Sequence, residues 1–472
     1  MLPDPWPHSG QILPWLVSAY RELTVFSAFW LLVGLIDDLL VDFLWLMLVL
    51  RGRVQARCLP RGFEQRELSA PMAVFIPAWC EAQVIGTTVR HALDAWPQRK
   101  VRIYVGCYAN DPDTARAVLA AGHGDPRLCA VPIGVAGPST KADCLNRLYR
   151  ALERDEAAAG RSVQAVVLHD AEDMVHPAEL VLFEQVLASV DFVQLPVRAE
   201  PLAGSPWVAG HYIDEFAEAH TKTMVVRDAL GGALPAAGVG CAIARSVLAR
   251  LDQQRQTDGG GSSGPFAPEC LTEDYEIGWR IARMGGRSRF VRVRDAGGAL
   301  VATRAHFPAH FACAVRQKTR WTHGIAYQGW DRLGWSGTLV DRWMALRDRR
   351  APMAALVLLA AYASLVTGLI LAAVGPPAGI AALAPTPWTD LFLLASGAGL
   401  VWRLVCRFLF STHERGLVEG LRSLARAPLS NVIAIASAHR ALRAYLGSLR
   451  GTPTVWDKTR HDSHPAAPRS PR

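Results

Sequence analysis

Apolar residues follow two patterns along this chain. Between 69 and 330, short apolar runs alternate with stretches of helical period. MAVFIP from Met72, VRIYVGC from Val101, LCAVPI from Leu128, VQAVVLH from Val163 and DFVQLPV from Asp191 predict strands, and EAQVIGTTVRHALDAW and KADCLNRLYRALERDEAAAG predict helices between them. Strands that are apolar throughout, separated by helices, indicate an α/β fold with a doubly wound, mostly parallel sheet. Ligands of such a sheet bind beyond the carboxyl ends of its strands, so the polar residues just after strands carry the candidate chemistry.

Outside that region the apolar stretches are longer. The stretch 24–50 is long enough to cross a bilayer but contains Asp37, Asp38 and Asp42, which must face other helices or a wet cavity. The stretch 351–374 carries no charge, and 388–410 is a third span, with Arg403 and Arg407 near its end expected to snorkel to the interface. PLSNVIAIASAHRALRAYLG from Pro428 is too short in its uncharged part to span, and reads as an interfacial helix within a C-terminal segment 411–472. Arg51, Arg53, Arg57, Arg61 and Arg66 follow the first span, and Arg342, Arg347, Arg349 and Arg350 precede the second, whereas 375–388 has no Lys or Arg. The positive-inside rule then puts residues 1–23 outside, in a periplasmic position, and 69–330 in the cytoplasm. Trp330, Trp335 and Trp343 fit an aromatic belt in an interfacial segment 331–350.

Composition refines this picture. The chain has 472 residues, 51% hydrophobic and 19% charged, which excludes disordered and collagen-like classes. Its formal charge of +8 has the spans as its neighbours, so the basic excess is a membrane-surface feature and implies no nucleic-acid partner. Only five of the 50 basic residues are Lys. Nine scattered Cys without a CxxC pair suit reduced thiols and argue against a structural zinc site.

Candidate chemistry clusters after strands. The fourth strand runs into His169-Asp170-Ala171-Glu172-Asp173, where acids two apart either hold a divalent cation or cap the next helix. The second runs into Asn110-Asp111-Pro112-Asp113, either a polar turn or a carboxylate for a nucleobase or ribose. Gly137-Pro138-Ser139-Thr140-Lys141 combines a helix start with a rare lysine, a natural diphosphate contact as well as a natural N-cap. Thr272-Glu273-Asp274 also reads as a helix start with acids in its first turn. Gln317-Lys318-Thr319-Arg320-Trp321 is more specific, because a QxxRW string arises by chance only about 0.04 times in such a chain. A nucleotide-binding P-loop and a complete dinucleotide fingerprint are both absent from the sequence.

Taken in order, Pro77 to Glu81 (PAWCE), the Asp111 turn, Lys141, DAED at 170–173, TED at 272–274 and QxxRW at 317–321 resemble the processive family-2 glycosyltransferases, which include cellulose, chitin and hyaluronan synthases. IDDLLVDFLW in the first span, YANDP, GPSTKADCLN, RWTHGIAYQGW and PTVWDK at 453–458 resemble, more narrowly, the bacteriophage adsorption protein B family of inner-membrane glycosyltransferases.

The resemblance implies a GT-A domain at 69–330, flanked by transmembrane and interfacial helices, in a multi-pass protein of the bacterial inner membrane. It implies that Asp111 or Asp113 contacts uracil, Lys141 the nucleotide diphosphate, and Asp170 and Glu172 a Mg2+ or Mn2+ ion. Asp274 is the implied general base. Gln317, Arg320 and Trp321 hold the diphosphate and acceptor sugar, Pro77, Glu81 and Glu273 belong to the substrate site, and Gly238 and Gly240 to an acceptor-side loop. Glu172 and Cys80 depart from the usual Asp and Asn of the family pattern. The implied reaction is inverting transfer from a UDP-sugar to an envelope or extracellular polysaccharide, with an outer-membrane export partner. The alternatives are transfer of one sugar to a lipid carrier, or a non-catalytic envelope scaffold or phage-entry component. Longer members carry a cyclic di-GMP-sensing domain, and the short sequence after PTVWDK gives the expectation of no built-in control of that kind.

Overall fold

The computed structural model describes residues 9–54, 56–259, 264–374, 387–451 and 463–467. PTVWDK with Lys458, the loop at 375–386 and the centre of the Gly/Ser tract at 260–263 lie outside the described residues.

Seven strands form the main sheet: β1 Met72–Ala78, β2 Val101–Cys107, β3 Leu128–Pro132, β4 Ala165–Leu168, β5 Phe192–Gln194, β6 Cys241–Ala244 and β7 Ser288–Phe290. Their order is β3-β2-β1-β4-β6-β5-β7. All neighbours are parallel except β6, which runs antiparallel to β4 and β5. Every residue of β1 is buried, as its uninterrupted apolar run requires. The sheet separates two apolar clusters, one holding Val74, Ile76 and Trp96, the other Phe75, Tyr104 and Tyr149. Gly106 on β2 lets the helix Lys141–Ala159 lie close, because a Cβ there would stand 2.5 Å from Cys144 Sγ.

The predicted strand DFVQLPV is broken. Pro196 cannot donate to a ladder, so pairing stops at Gln194 and resumes in a separate two-stranded unit, Val197–Ala199 with Thr303–Ala305. This break brings Val197 and the segment after Ala305, with His306 and Phe307, beside Pro77 and Asp170 at the carboxyl ends of β1 and β4.

Two helices, Ala351–Val374 and Pro387–Arg415, contain segments long and apolar enough to cross a membrane. The N-terminal helix is one element from Ser9 to Leu50, so helix begins well before the predicted start at 24. Arg21 and Glu22 interrupt its hydropathy without interrupting its backbone. The tail helix likewise starts at Leu417, before Pro428, and runs to Ser448. Its basic first half is anchored instead of solvated: Arg426 is fully buried, 2.6 Å from Asp214 on the helix Gly210–Glu218.

The three aspartates of the N-terminal helix are all paired. Asp37 and Asp38 meet Arg350 at 2.6 and 2.8 Å, and both also meet Arg347. Arg403 reaches Asp38 at 3.5 Å and Glu218 at 2.8 Å, and Lys222 joins Glu218 at 2.7 Å and Asp42. Trp343 and Trp402 donate indole N–H groups to Asp37 and Asp42. Arg403 and Arg407 therefore turn inward to carboxylates, Arg407 to Asp214 at 2.9 Å, and do not snorkel. Four acids face four bases across the N-terminal helix, the segment 339–350, the second apolar helix and the helix leading into Lys222. Removing one member of such a set leaves an uncompensated charge, at a cost of about 3–5 kcal/mol. Lys222→Met is expected to lower the melting temperature of the detergent-purified protein strongly, and Asp42→Asn added to it to recover part of the loss, as measured in a double-mutant cycle.

Candidate active site

The carboxyl ends of β1 and β4 open into one cleft. Pro77, Glu81, Lys141, Asp170, Glu172, Glu273, Asp274, Gln317, Arg320 and Trp321 all line it. Sequence segments separated by more than 200 residues are thus brought together.

Lys141 is the first residue of its helix, whose N-cap Thr140 accepts from Asp143 N at 3.1 Å. The cap and the cleft-lining lysine coexist: Lys141 Nζ stands 2.5 Å from Asp170 Oδ1 and 3.5 Å from the Gly238 carbonyl. The surrounding acids Asp170, Glu273 and Asp274 push the lysine pKa up against the opposing effect of burial.

The turn bearing Asp170 is set from beneath. His169, fully buried, is held between Asp173 Oδ2 at 3.0 Å and Glu179 Oε1 at 2.7 Å, and Asp173 Oδ2 also accepts from Asp170 N at 2.9 Å. Burial opposes protonation of His169, but the two carboxylates overcome it and raise its pKa to about 10. The imidazolium fixes the Asp173 carboxylate, which in turn fixes the start of the Asp170–Glu172 turn.

Asp274 opens the helix Glu273–Arg283, and its Oδ1 accepts from Tyr275 N at 2.7 Å. Its other oxygen lies against Gly238, which has φ 75°, so a side chain at 238 would be strained and would overlap the carboxylate. Gly240, at φ 56°, is pressed in the same way against Thr303. Glu273 is 5% exposed and its Oε1 has no hydrogen-bond partner. Burial, then the Asp274 charge, push its pKa up to about 8, with Lys141 opposing. Burial also raises Asp274.

Gln317, Arg320 and Trp321 share one face of the helix Phe311–Thr322, as spacings of three and four dictate. Trp321 meets Tyr212 edge-on at 6.0 Å, and Tyr212 stacks on Phe307 at 4.7 Å. Lys318 turns from the cleft to Glu215 and lies over the Tyr212 and Trp321 rings.

Asp111 and Asp113 do not line the cleft. Asp111 caps the helix Pro112–Gly122 through Thr114 N and accepts from Cys80 N at 2.6 Å, so it braces the PAWCE loop. Asp113 is exposed beside Arg116. Asn110 exchanges two hydrogen bonds with Gly137, at 2.7 and 2.8 Å, which pins the YANDP turn to the lysine loop. Cleft residues missed in the motif reading include Phe216, His306 and Phe307, none of which stands in a motif.

The donor set fits a hard divalent cation. Asp170 and Glu172 carry carboxylate oxygens into the cleft, and the buried Glu273 Oε1, which has no hydrogen-bond partner, lies in the same cleft. Among the described residues, no three such side chains form a closed cage, so the ion would share its ligands with substrate phosphate.

The buried Glu273 predicts a pH effect. Its raised pKa favours folding while the group is protonated, fully so below 4.5, and that contribution is lost as pH rises through about 8. One pKa unit is worth about 1.4 kcal/mol. In metal-free buffer, Glu273→Gln is expected to gain stability over the wild type between pH 5 and about 8, read from paired thermal melts.

Comparison with known proteins agrees with this geometry. The sequence profile described as "Glycosyltransferase like family 2" matches residues 70–324. Bacteriophage adsorption protein B of Escherichia coli K12 and bacteriophage N4 adsorption protein B of Escherichia coli O157:H7 are each 32% identical over 95% of the chain. The chain spans 64% of the length of these relatives. A mannosyltransferase from Pyrobaculum calidifontis, solved with GDP-mannose and Mn2+, superimposes with a TM-score of 0.53 at 18% identity, covering 90% of this chain and 99% of its own. That likeness identifies the GT-A fold, and the motif order, the cleft and the matched profile together make this chain a member of glycosyltransferase family 2.

Proposed function

We propose that the chain is an inverting, metal-dependent glycosyltransferase of the bacterial inner membrane, which transfers a hexosyl or N-acetylhexosaminyl group from a UDP-sugar to a growing envelope or extracellular polysaccharide. The observation that carries this reading is the convergence of Lys141, Asp170, Asp274, Arg320 and Trp321 in one cleft. The catalytic domain is cytoplasmic in this reading, with the apolar helices in the bilayer and the basic segments at their inner ends.

Each side chain has a defined task. Lys141 and Arg320 neutralise the departing diphosphate. Asp170 and Glu172 hold the Mg2+ or Mn2+, which when bound supplies further charge neutralisation at the same oxygens. Asp274 takes the proton of the acceptor hydroxyl, a role helped by its raised pKa. Trp321, backed by Tyr212 and Phe307, gives the acceptor sugar a flat apolar wall. One displacement on the face opposite the leaving group inverts the anomeric centre, so an alpha-linked donor yields a beta linkage. Asp111 contributes by fixing the loops around the nucleotide.

Membrane vesicles supplied with a panel of radiolabelled UDP-sugars and Mn2+ test the reading. A long, water-soluble product is expected from one of them. A chloroform-soluble product bearing a single sugar would instead assign transfer to a lipid carrier. Asp274→Asn is expected to lower the incorporation rate about 100- to 10,000-fold, the range associated with a general base. Full incorporation by that variant would remove Asp274 from the mechanism. Trp321→Ala is expected to shorten the product while binding of UDP, followed by calorimetry, stays within about threefold.

A further inference from the structure

A second cavity, of about 930 Å3, lies between the N-terminal helix and the helix Pro387–Arg415, away from the catalytic cleft. That volume is in the range of sites for small molecules. Its walls differ from end to end. Leu39, Leu46, Val49 and Leu409 form an apolar side and are exposed, in helices assigned to the bilayer. Arg292 and Arg294 lie at the other end, where Arg292 pairs with Glu414, and Lys222, Asp42 and His413 also line the cavity.

The cations at that end are not all balanced. Lys222 is taken up by Asp42 and Glu218. Arg292 is 9% exposed and pairs with Glu414 at 2.5 Å, yet its buried Nε has no partner. Arg294 donates to the Gly298 carbonyl at 2.8 Å, and among the described residues no carboxylate pairs with it. Arg294 thus retains N–H donors at the polar end of an apolar cavity, with the Arg292 cation two residues away, a disposition complementary to a phosphate carrying acyl chains.

The geometry points to a resident anionic glycerophospholipid in this cavity, with its phosphate at Arg292 and Arg294 and its chains along Leu46 and Leu409. It is not the acceptor. Among the described residues, a small cavity stands between the two, sharing Thr221 and Arg292 with the lipid cavity and Val197 and Phe216 with the cleft. That space holds about 20 Å3, room for little more than one water. The inference is independent of the sugar donor and of the product.

Native mass spectrometry of the detergent-purified full chain tests it, with phosphatidylglycerol and phosphatidylcholine of identical acyl chains as probes. The wild type is expected to retain one phosphatidylglycerol at least about tenfold more than phosphatidylcholine. Arg294→Gln, which keeps a donor for Gly298, and Arg294→Glu are expected to abolish that preference. Leu46→Trp, which fills the cavity, is expected to lose both lipids, whereas Leu365→Trp on the exposed face of another apolar helix retains them. Thermal melts confirm that each variant is folded. Equal retention of the two lipids by the wild type, unchanged preference in both Arg294 variants, or unchanged retention in folded Leu46→Trp would overturn the inference.

Discussion

The charge balance between the N-terminal helix and the rest of the molecule is the constraint on which the architecture depends. Asp37, Asp38 and Asp42 occupy an otherwise apolar stretch of the N-terminal helix, where each unpaired carboxylate would cost about 2.5–3.5 kcal/mol on the insertion scale. Their partners come from three separate elements: Arg347 and Arg350 before the first apolar helix, Arg403 within the second, and Lys222 from the catalytic domain. Apolar packing could be satisfied by many rotations of one helix against another. The paired charges admit only the register in which every acid meets its base, so they contribute specificity more than net stability.

The cleft follows the opposite rule. At the junction acids and bases cancel, whereas around Lys141 the carboxylates of Asp170, Glu172, Glu273 and Asp274 outnumber the nearby cations. Burial first, and the neighbouring carboxylate charges after it, raise the pKa values of Glu273 and Asp274. A divalent ion with substrate phosphates would complete a site whose protein part is deliberately left one-sided, at the expense of stability in the empty protein. His169 shows how the strain is contained: it brings a positive charge below the Asp170 turn and binds Asp173 and Glu179 without entering the cleft.

Much of this was legible in the sequence. The strands β1, β2 and β4 are recognisable as apolar runs, and the candidate chemistry follows from the turns after β1 and β4 and from the i, i+3, i+4 spacing of Gln317, Arg320 and Trp321. Strands β6 and β7 were not legible, because four and three residues carry too little periodicity. The residues supporting Trp321 also escaped, since Tyr212 and Phe307 come from segments whose proximity is created by the break at Pro196. Arg403 and Arg407 were misread for a related reason. Hydropathy registers a charge near a helix end, but only the tertiary structure supplies Glu218 and Asp214 as partners. Asp111 illustrates a further limit: a carboxylate after a strand has the same sequence signature whether it faces a ligand or caps a helix.

Two π-helical turns connect the junction to the cleft. The helix Gly210–Glu218 continues through Ala219–Thr223, and the helix Phe311–Thr322 through His323–Gln328. Such a turn widens the helix by one residue and shifts the faces that follow, a feature frequent at functional sites. In the first case Phe216 stays on the cleft wall while Lys222 reaches Asp42. In the second, Trp321 remains in the cleft while Tyr327 stacks on Tyr445 of the tail helix at 4.7 Å. A regular helix would keep a single phase through both tasks. The local change in phase allows one element to present an aromatic wall to the sugar site and still lock into the surrounding helices, so the substrate wall and the membrane-facing frame are parts of the same rigid bodies.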